Sequence, residues 1–210
     1  MKNILLVLLF VPLISIAQKT YVPDNNFEQK LIDLGYDDVL DDSVLTSNIN
    51  TVTSLNIPGI GYIKIKQLTG LEDFTALDTL ICSNNKIDSI NLSRNISLNY
   101  LKCDVNPFST LNLSNNKELA YLYCRDCPNL TNLDISNCIA LDIVNLEKTA
   151  IKDLDLSNFT SLTYLAFGYS SLINLNLNNC TALTYLNVSC LPIATLTNLN
   201  LKNCIALSYL

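Results

Sequence analysis

Histidine is absent from all 210 residues of this chain, and so is tryptophan. Without an imidazole there is no Ser-His-Asp or Cys-His catalysis, no His-ligated zinc and no use of the commonest general base. Positive charge is also scarce, with 13 Lys and Arg against 19 Asp and Glu and a net charge of −6. Nucleic acid is held by clustered Lys and Arg on phosphates, so this balance argues against it as a partner. Long apolar runs are missing as well. The longest, residues 4–16, is broken by Pro12 and falls short of the roughly 20 residues needed to cross a bilayer. Hydrophobic residues nevertheless make up 49% of the chain and charged ones only 15%, which excludes disorder and suffices for a continuous core.

The first 17 residues read as a secretory signal peptide: Lys2 opens a short apolar run, and Ser15-Ile16-Ala17 is a small-x-small cleavage pattern. No cysteine follows the cut after Ala17, so free export, to the medium or the cell surface, is expected over lipid anchoring. Cleavage leaves 12 basic and 19 acidic side chains, a net charge of −7. Much of the acidity comes early, in Asp24, Glu28, Asp33, Asp37, Asp38, Asp41 and Asp42. Asp37-Asp38-x-x-Asp41-Asp42 reads either as hard oxygen ligands for calcium or as a solvated turn. The missing glycine-bearing EF-hand spacing favours the turn, and no metal or cofactor is expected.

From Leu77 onward one pattern returns about every 21 residues. Leu77-Asp78-Thr79-Leu80-Ile81-Cys82 is echoed by phrases starting at Leu98, Leu119, Leu141, Leu162, Leu183 and Leu207. Each full phrase is followed by a second one, such as Ile87-Asp88-Ser89-Ile90-Asn91-Leu92-Ser93. A fixed period of this length denotes one coil of a solenoid repeated. Alternation at period two marks the first phrase as a strand with Leu80 and Cys82 inward and Thr79 and Ile81 outward. Val52-Thr53-Ser54-Leu55-Asn56-Ile57 is the first such strand. Ahead of it, residues 18–51 form a cap with a helix near 24–35, where Phe27, Leu31, Ile32 and Leu34 share one face. Asn85 and Asn106 follow their strands at a position where a buried amide satisfies turn backbone. Cys127, Thr149, Ser170 and Leu191 take that column later, so later turns should be less well bonded. Leu210 stops halfway through a coil without a polar cap, so residues 52–210 are expected to be a C-terminally incomplete array.

Leu-x-x-Leu-x-Leu/Cys-x-x-Asn-x-Leu resembles the leucine-rich repeat consensus, and Leu68-Thr69-Gly70-Leu71-Glu72-Asp73-Phe74-Thr75-Ala76-Leu77 resembles the repeat of internalin-type bacterial surface proteins. Tyr21-Val22-Pro23-Asp24-Asn25-Asn26-Phe27-Glu28 together with Cys82-Ser83-Asn84-Asn85 is similar to the short cysteine-bearing repeats of secreted Bacteroidota proteins. The resemblance implies an α/β leucine-rich repeat solenoid, mostly β, with a parallel sheet of about 7 to 8 coils and a short N-terminal capping helix.

Eight cysteines in an exported chain raise the question of disulfides. Cys82, Cys103 and Cys124 fall in one inward column, where they replace leucine as small apolar groups. Cys138, Cys180 and Cys204 share a second column, in which only Cys180 with Cys204 is a fair disulfide pair. Cys124-Arg125-Asp126-Cys127 is a lone C-x-x-C that leaves a strand instead of opening a helix, so core packing outweighs redox or zinc chemistry. Asp134 and Asp155, with Asp153 beside them, could form a glycosidase-type acid pair. Their column continues as Asn91, Asn112, Asn176 and Asn200, and a solvent-facing polar ladder is the simpler account.

The columns single out one surface. Tyr100, Tyr121, Tyr164, Tyr185 and Tyr209 each precede the second leucine of their coil, with Thr79 and Ile143 filling the column elsewhere. An outward tyrosine ladder follows, flanked by Tyr123, Lys102, Asp104, Arg125, Asn145, Glu147 and Asn187. Tyrosine joins a large rigid ring to a polar tip, which suits recognition of protein or sugar. The same rings could instead stack merely to stabilise the sheet. The expected function is therefore a non-catalytic recognition or adhesion module for an extracellular protein or glycan. A scaffold spacing a further C-terminal domain is the alternative, and an acid-pair glycosidase a distant third.

Overall fold

The computed structural model describes residues 18–189 and 196–210; residues 1–17, expected from the sequence to be a signal peptide, and Leu191 lie outside them. The cap opens with β1 (Lys19–Tyr21), α1 (Asn25–Asp33), β2 (Ser43–Leu45) and α2 (Thr46–Ile49). Strands β1 and β2 pair antiparallel, an element the repeat pattern did not announce. Asp24 caps α1 by accepting the N–H groups of Asn26 at 2.9 Å and Phe27 at 3.0 Å through Oδ1. Its Oδ2 accepts from Lys66 and Gln67, so one carboxylate starts the helix and ties the cap to the following coil. The apolar face differs from the expected one: α1 buries Phe27, Glu28 and Leu31, while Leu34 at the C-cap is exposed. Glu28 goes inside because its Oε1 accepts from the N–H groups of Asp41 and Ser43, holding the acidic turn against the helix.

The coils follow as β3 (Ser54–Asn56), a 3₁₀ turn at Leu71–Asp73, β4 (Thr79–Ile81), β5 (Tyr100–Lys102), β6 (Thr110–Asn112), β7 (Tyr121–Tyr123) and β8 (Asn132–Asp134). They continue as β9 (Ile143–Asn145), β10 (Asp153–Asp155), β11 (Tyr164–Ala166), β12 (Asn174–Asn176), β13 (Tyr185–Asn187) and β14 (Asn198–Asn200). Seven strands form one parallel sheet in the order β13-β11-β9-β7-β5-β4-β3, and Tyr209 bridges Tyr185 at the place of an eighth. A second face carries the pairs β6-β8 and β10-β12-β14. The interior between the two faces is filled by repeated leucines, including Leu80, Leu101, Leu122, Leu165 and Leu186, each fully buried.

Two columns of buried amides tie successive coils together. Asn85 Nδ2 donates to the carbonyls of Ile57 and Cys82, each at 3.0 Å, while Oδ1 accepts from Ile65 N–H. Asn106 repeats this one coil later with Cys82, Cys103 and Ile87. Further along the column Thr149 bonds only Leu146 O, and Ser170 Oγ, though buried, has no partner among the described residues. The loss of amide bonding expected in the later turns is thus present. A second column, unforeseen, holds Asn95 and Asn116, both fully buried, which donate to carbonyls of the preceding coil.

Candidate recognition surface

The three-residue strands of the long sheet bury their middle residue and leave their flanking residues at least partly exposed, except that Ala166 in β11 is also buried. Register is strict: Tyr100 pairs with Tyr121, Tyr121 with Ile143, Ile143 with Tyr164, and Tyr164 with Tyr185. The five tyrosines therefore stand on one outward file, interrupted by Ile143. At its C-terminal end the rings lie face to face. Tyr164 and Tyr185 have centroids 4.6 Å apart and an interplanar angle of 3°, and Tyr185 and Tyr209 are 4.4 Å apart at 5°. At the other end Tyr100 is tilted against both Tyr121 and Tyr123, at 5.8 and 5.6 Å. Tyr209 is 56% exposed and the others are half-buried. Burial, then neighbouring phenols, push the hydroxyls of Tyr123, Tyr164 and Tyr185 above the usual value. They remain neutral hydrogen-bond donors at physiological pH.

Beside the tilted tyrosines lies a charged cluster. Lys102 Nζ sits 5.9 Å from the Tyr123 ring centroid and 3.8 Å from the Asp104 carboxylate. Arg125 Nε reaches Asp126 at 3.1 Å and Glu147 at 3.6 Å, and Lys148 Nζ reaches Asp126 at 2.9 Å. Desolvation holds the Asp104 carboxyl above its ordinary value, although Arg125 N–H donates to it. The structure thus brings Tyr100, Tyr121, Tyr123, Tyr164, Tyr185, Tyr209, Lys102, Arg125 and Asn145 onto one face. Asn145 is partly committed to structure, since its Oδ1 accepts the N–H of Glu147. Asn187 does the same for Ser189 and also donates to Glu147.

On the second face the suspected acid pair has a structural task. Asn91, Asn112, Asp134, Asp155, Asn176 and Asn200 each accept the backbone N–H two residues ahead, making one turn-forming column. The bonds from Ser157 hold the Asp155 carboxyl below its usual range, the opposite of what a general acid requires. The strands bearing Asp134 and Asp155 do not pair, because the second face breaks between β8 and β10.

Every cysteine among the described residues is a free thiol, Cys180 and Cys204 included. Cys138, Cys180 and Cys204 each donate to a carbonyl of the preceding coil, at 3.2, 3.1 and 3.1 Å, taking over the task of Asn95 and Asn116. Cys103 and Cys124 sulfurs touch at 2.9 Å in the core. Burial raises these thiols, Cys127 and Cys138 to about 12, so C-x-x-C here is packing and not a thiolate site. In the acidic turn Asp41 is bound by Lys19 and Ser43. No group of three or more acidic or thiol side chains able to hold a metal occurs among the described residues, nor any helix long and apolar enough to cross a membrane.

No family model and no curated protein matches the sequence. Among solved structures, internalin C2 of Listeria monocytogenes is similar, with a TM-score of 0.66 at 18% identity over 82% of this chain and 79% of that one. An internalin (InlF) of the same organism gives a TM-score of 0.51 at 18% identity, over 90% of this chain and 75% of that one.

Proposed function

We propose that this chain, whose fold is the leucine-rich repeat solenoid of the internalins, is an exported, non-catalytic recognition or adhesion module that holds a protein or glycan on its tyrosine-bearing sheet. One observation carries the reading: a seven-stranded sheet presents a file of half-exposed phenols beside a charged cluster, on the face that no other part of the described chain covers. Rigid rings with polar tips give contact area at low entropic cost, and Lys102 and Arg125 add directional charge. Export rests on Lys2, the apolar run and Ser15-Ile16-Ala17. The compact cap formed by residues 18–51 and the repeats from residue 52 are read as one continuous unit.

A spacer role is the second reading, favoured by the near-parallel stack of Tyr164, Tyr185 and Tyr209, which stabilises a sheet with or without a ligand. Replacing Tyr121, Tyr164 and Tyr185 with Ser separates the two. On a printed array of extracellular proteins and glycans, a recognition module loses its signal while its circular dichroism spectrum is retained. A spacer shows no array signal in either form.

A further inference from the structure

The second face, opposite the tyrosine file in the repeat, carries its own furrow. Cavities of about 220, 170 and 380 Å³ run along it in sequence. The first two share Asn91 and the second and third share Asn112, so they lie side by side along the coils. Beyond the break at β8 and β10, a cavity of about 600 Å³ lies over β10, β12 and β14. None of the residues lining these four cavities is a lysine or arginine, and none is aromatic. The rims are amides, hydroxyls and a few carboxylates over strand backbone, with Leu154 and Leu175 turned into the core and Leu199 exposed at the C-terminal end.

Two files of side chains run along the larger cavity. Asn176 Nδ2 donates to Asp155 Oδ1 at 3.1 Å and Asn200 Nδ2 to Asn176 Oδ1 at 2.9 Å. In the outer file Asn174 donates to Asp153 and Asn198 to Asn174. A primary amide has two N–H bonds, so after the ladder takes one, Asn174, Asn176 and Asn200 each keep a donor for a ligand, while Asn198 gives its second to Thr197 Oγ1 at 3.3 Å. Each carboxylate likewise keeps a second oxygen beyond the one used in the ladder. The files thus offer alternating donors and acceptors at the coil spacing of about 4.8 Å, preorganised by their mutual bonds.

We infer that this furrow is a second binding site, for a neutral polysaccharide chain. A polyhydroxylated chain supplies the matching donors and acceptors at regular intervals and carries C–H surface for the exposed Leu199. A polyanion would meet carboxylates with no cation to neutralise it. A ligand of this kind gains through many weak contacts along its length, so chain length sets its affinity.

Affinity electrophoresis of the full chain in native gels containing dextran, galactomannan, xyloglucan or laminarin tests the inference. At least one neutral polymer retards the protein, and the variant Asp153→Ala/Asn174→Ala/Asn198→Ala needs at least about fivefold more polymer for the same retardation. The serine variant of Tyr121, Tyr164 and Tyr185 is retarded like the parent, which separates this site from the proposed tyrosine surface. If the triple alanine variant loses its cooperative melt, the single changes Asn132→Ala, at an exposed residue lining the cavity of about 380 Å³, and Asn198→Ala, at an exposed rung, carry the same readout. Absence of retardation by every neutral polymer overturns the inference. So does unchanged retardation of the folded variants, loss of retardation in the tyrosine variant, or retardation by DEAE-dextran alone, which would make the ligand a cation.

Discussion

A single side chain can hold two coils together in this chain, and the cost of removing it depends on how many backbone groups it serves. Asn106 serves the carbonyls of Cys82 and Cys103 and the N–H of Ile87, all away from water. Asn106→Ala orphans these groups at once and lowers stability by about 3 kcal/mol, measured by urea unfolding. Ser170 occupies the same column with an unpartnered hydroxyl, so Ser170→Ala changes stability by less than about 0.5 kcal/mol. A large loss there would show that the hydroxyl is bonded after all. The neighbouring position has positive φ in five coils: Asn84 at 60°, Val105 at 55°, Asp126 at 55°, Lys148 at 55° and Tyr169 at 59°. Valine is the poorest of these for a left-handed backbone, because its branched Cβ crowds the following carbonyl. Val105 is an exposed side chain, so Val105→Asn relieves strain without emptying the core and raises stability by about 1 kcal/mol.

Elements differ in how far the sequence announces them. Strands of the long sheet were legible because their leucines return at a nearly constant interval, and the tyrosine file was legible with them. The cap was legible only as a helix. Strands β1 and β2 are three residues each, too short for alternation to register, and burial of Glu28 follows from two backbone N–H groups 13 and 15 residues away. The second amide column escaped notice because Asn95 and Asn116 give way to Cys138, Phe159, Cys180 and Cys204. Function is interchangeable there, amide for thiol, while residue identity is not. The polar column with Asp134 and Asp155 was legible as a ladder, but its turn-forming bonds became visible only with the backbone. At this scale Asp24 is the decisive joint. Asp24→Ala removes a helix cap and two bonds to the first coil, at a cost of about 3 kcal/mol, and should split thermal unfolding so that α1 melts first in far-ultraviolet dichroism. Acid acts on another element: the Asp155 carboxyl titrates below its unfolded value, so its contribution is complete above that unfolded value and is lost as pH falls through the folded one. Asp155→Asn therefore makes the acid limb of the stability profile shallower.

For the whole molecule, stability is distributed along one dimension, since each coil touches only its neighbours. The long sheet is continuous from β3 to β13, but the other ties between coils are not uniform. From Ile57 to Asn116 the coils are joined by the sheet and by two columns of buried amides. From Leu141 onward one column is reduced to hydroxyls, the other to thiols and Phe159, and the second face has already been interrupted between β8 and β10. Thiols are weak donors, so the later coils lose buried directional bonding while keeping their leucine core and the exposed amide files of β10, β12 and β14. Such an array opens from its weaker side in steps. Hydrogen exchange followed by mass spectrometry at rising urea should show peptides from residues 141–189 exchanging at lower denaturant than those from residues 65–124. Asn106→Ala should narrow that gap by weakening the earlier side. Equal exchange midpoints across the two regions would mean that the leucine core and the sheet alone set stability, and that the buried amides fix register without adding strength.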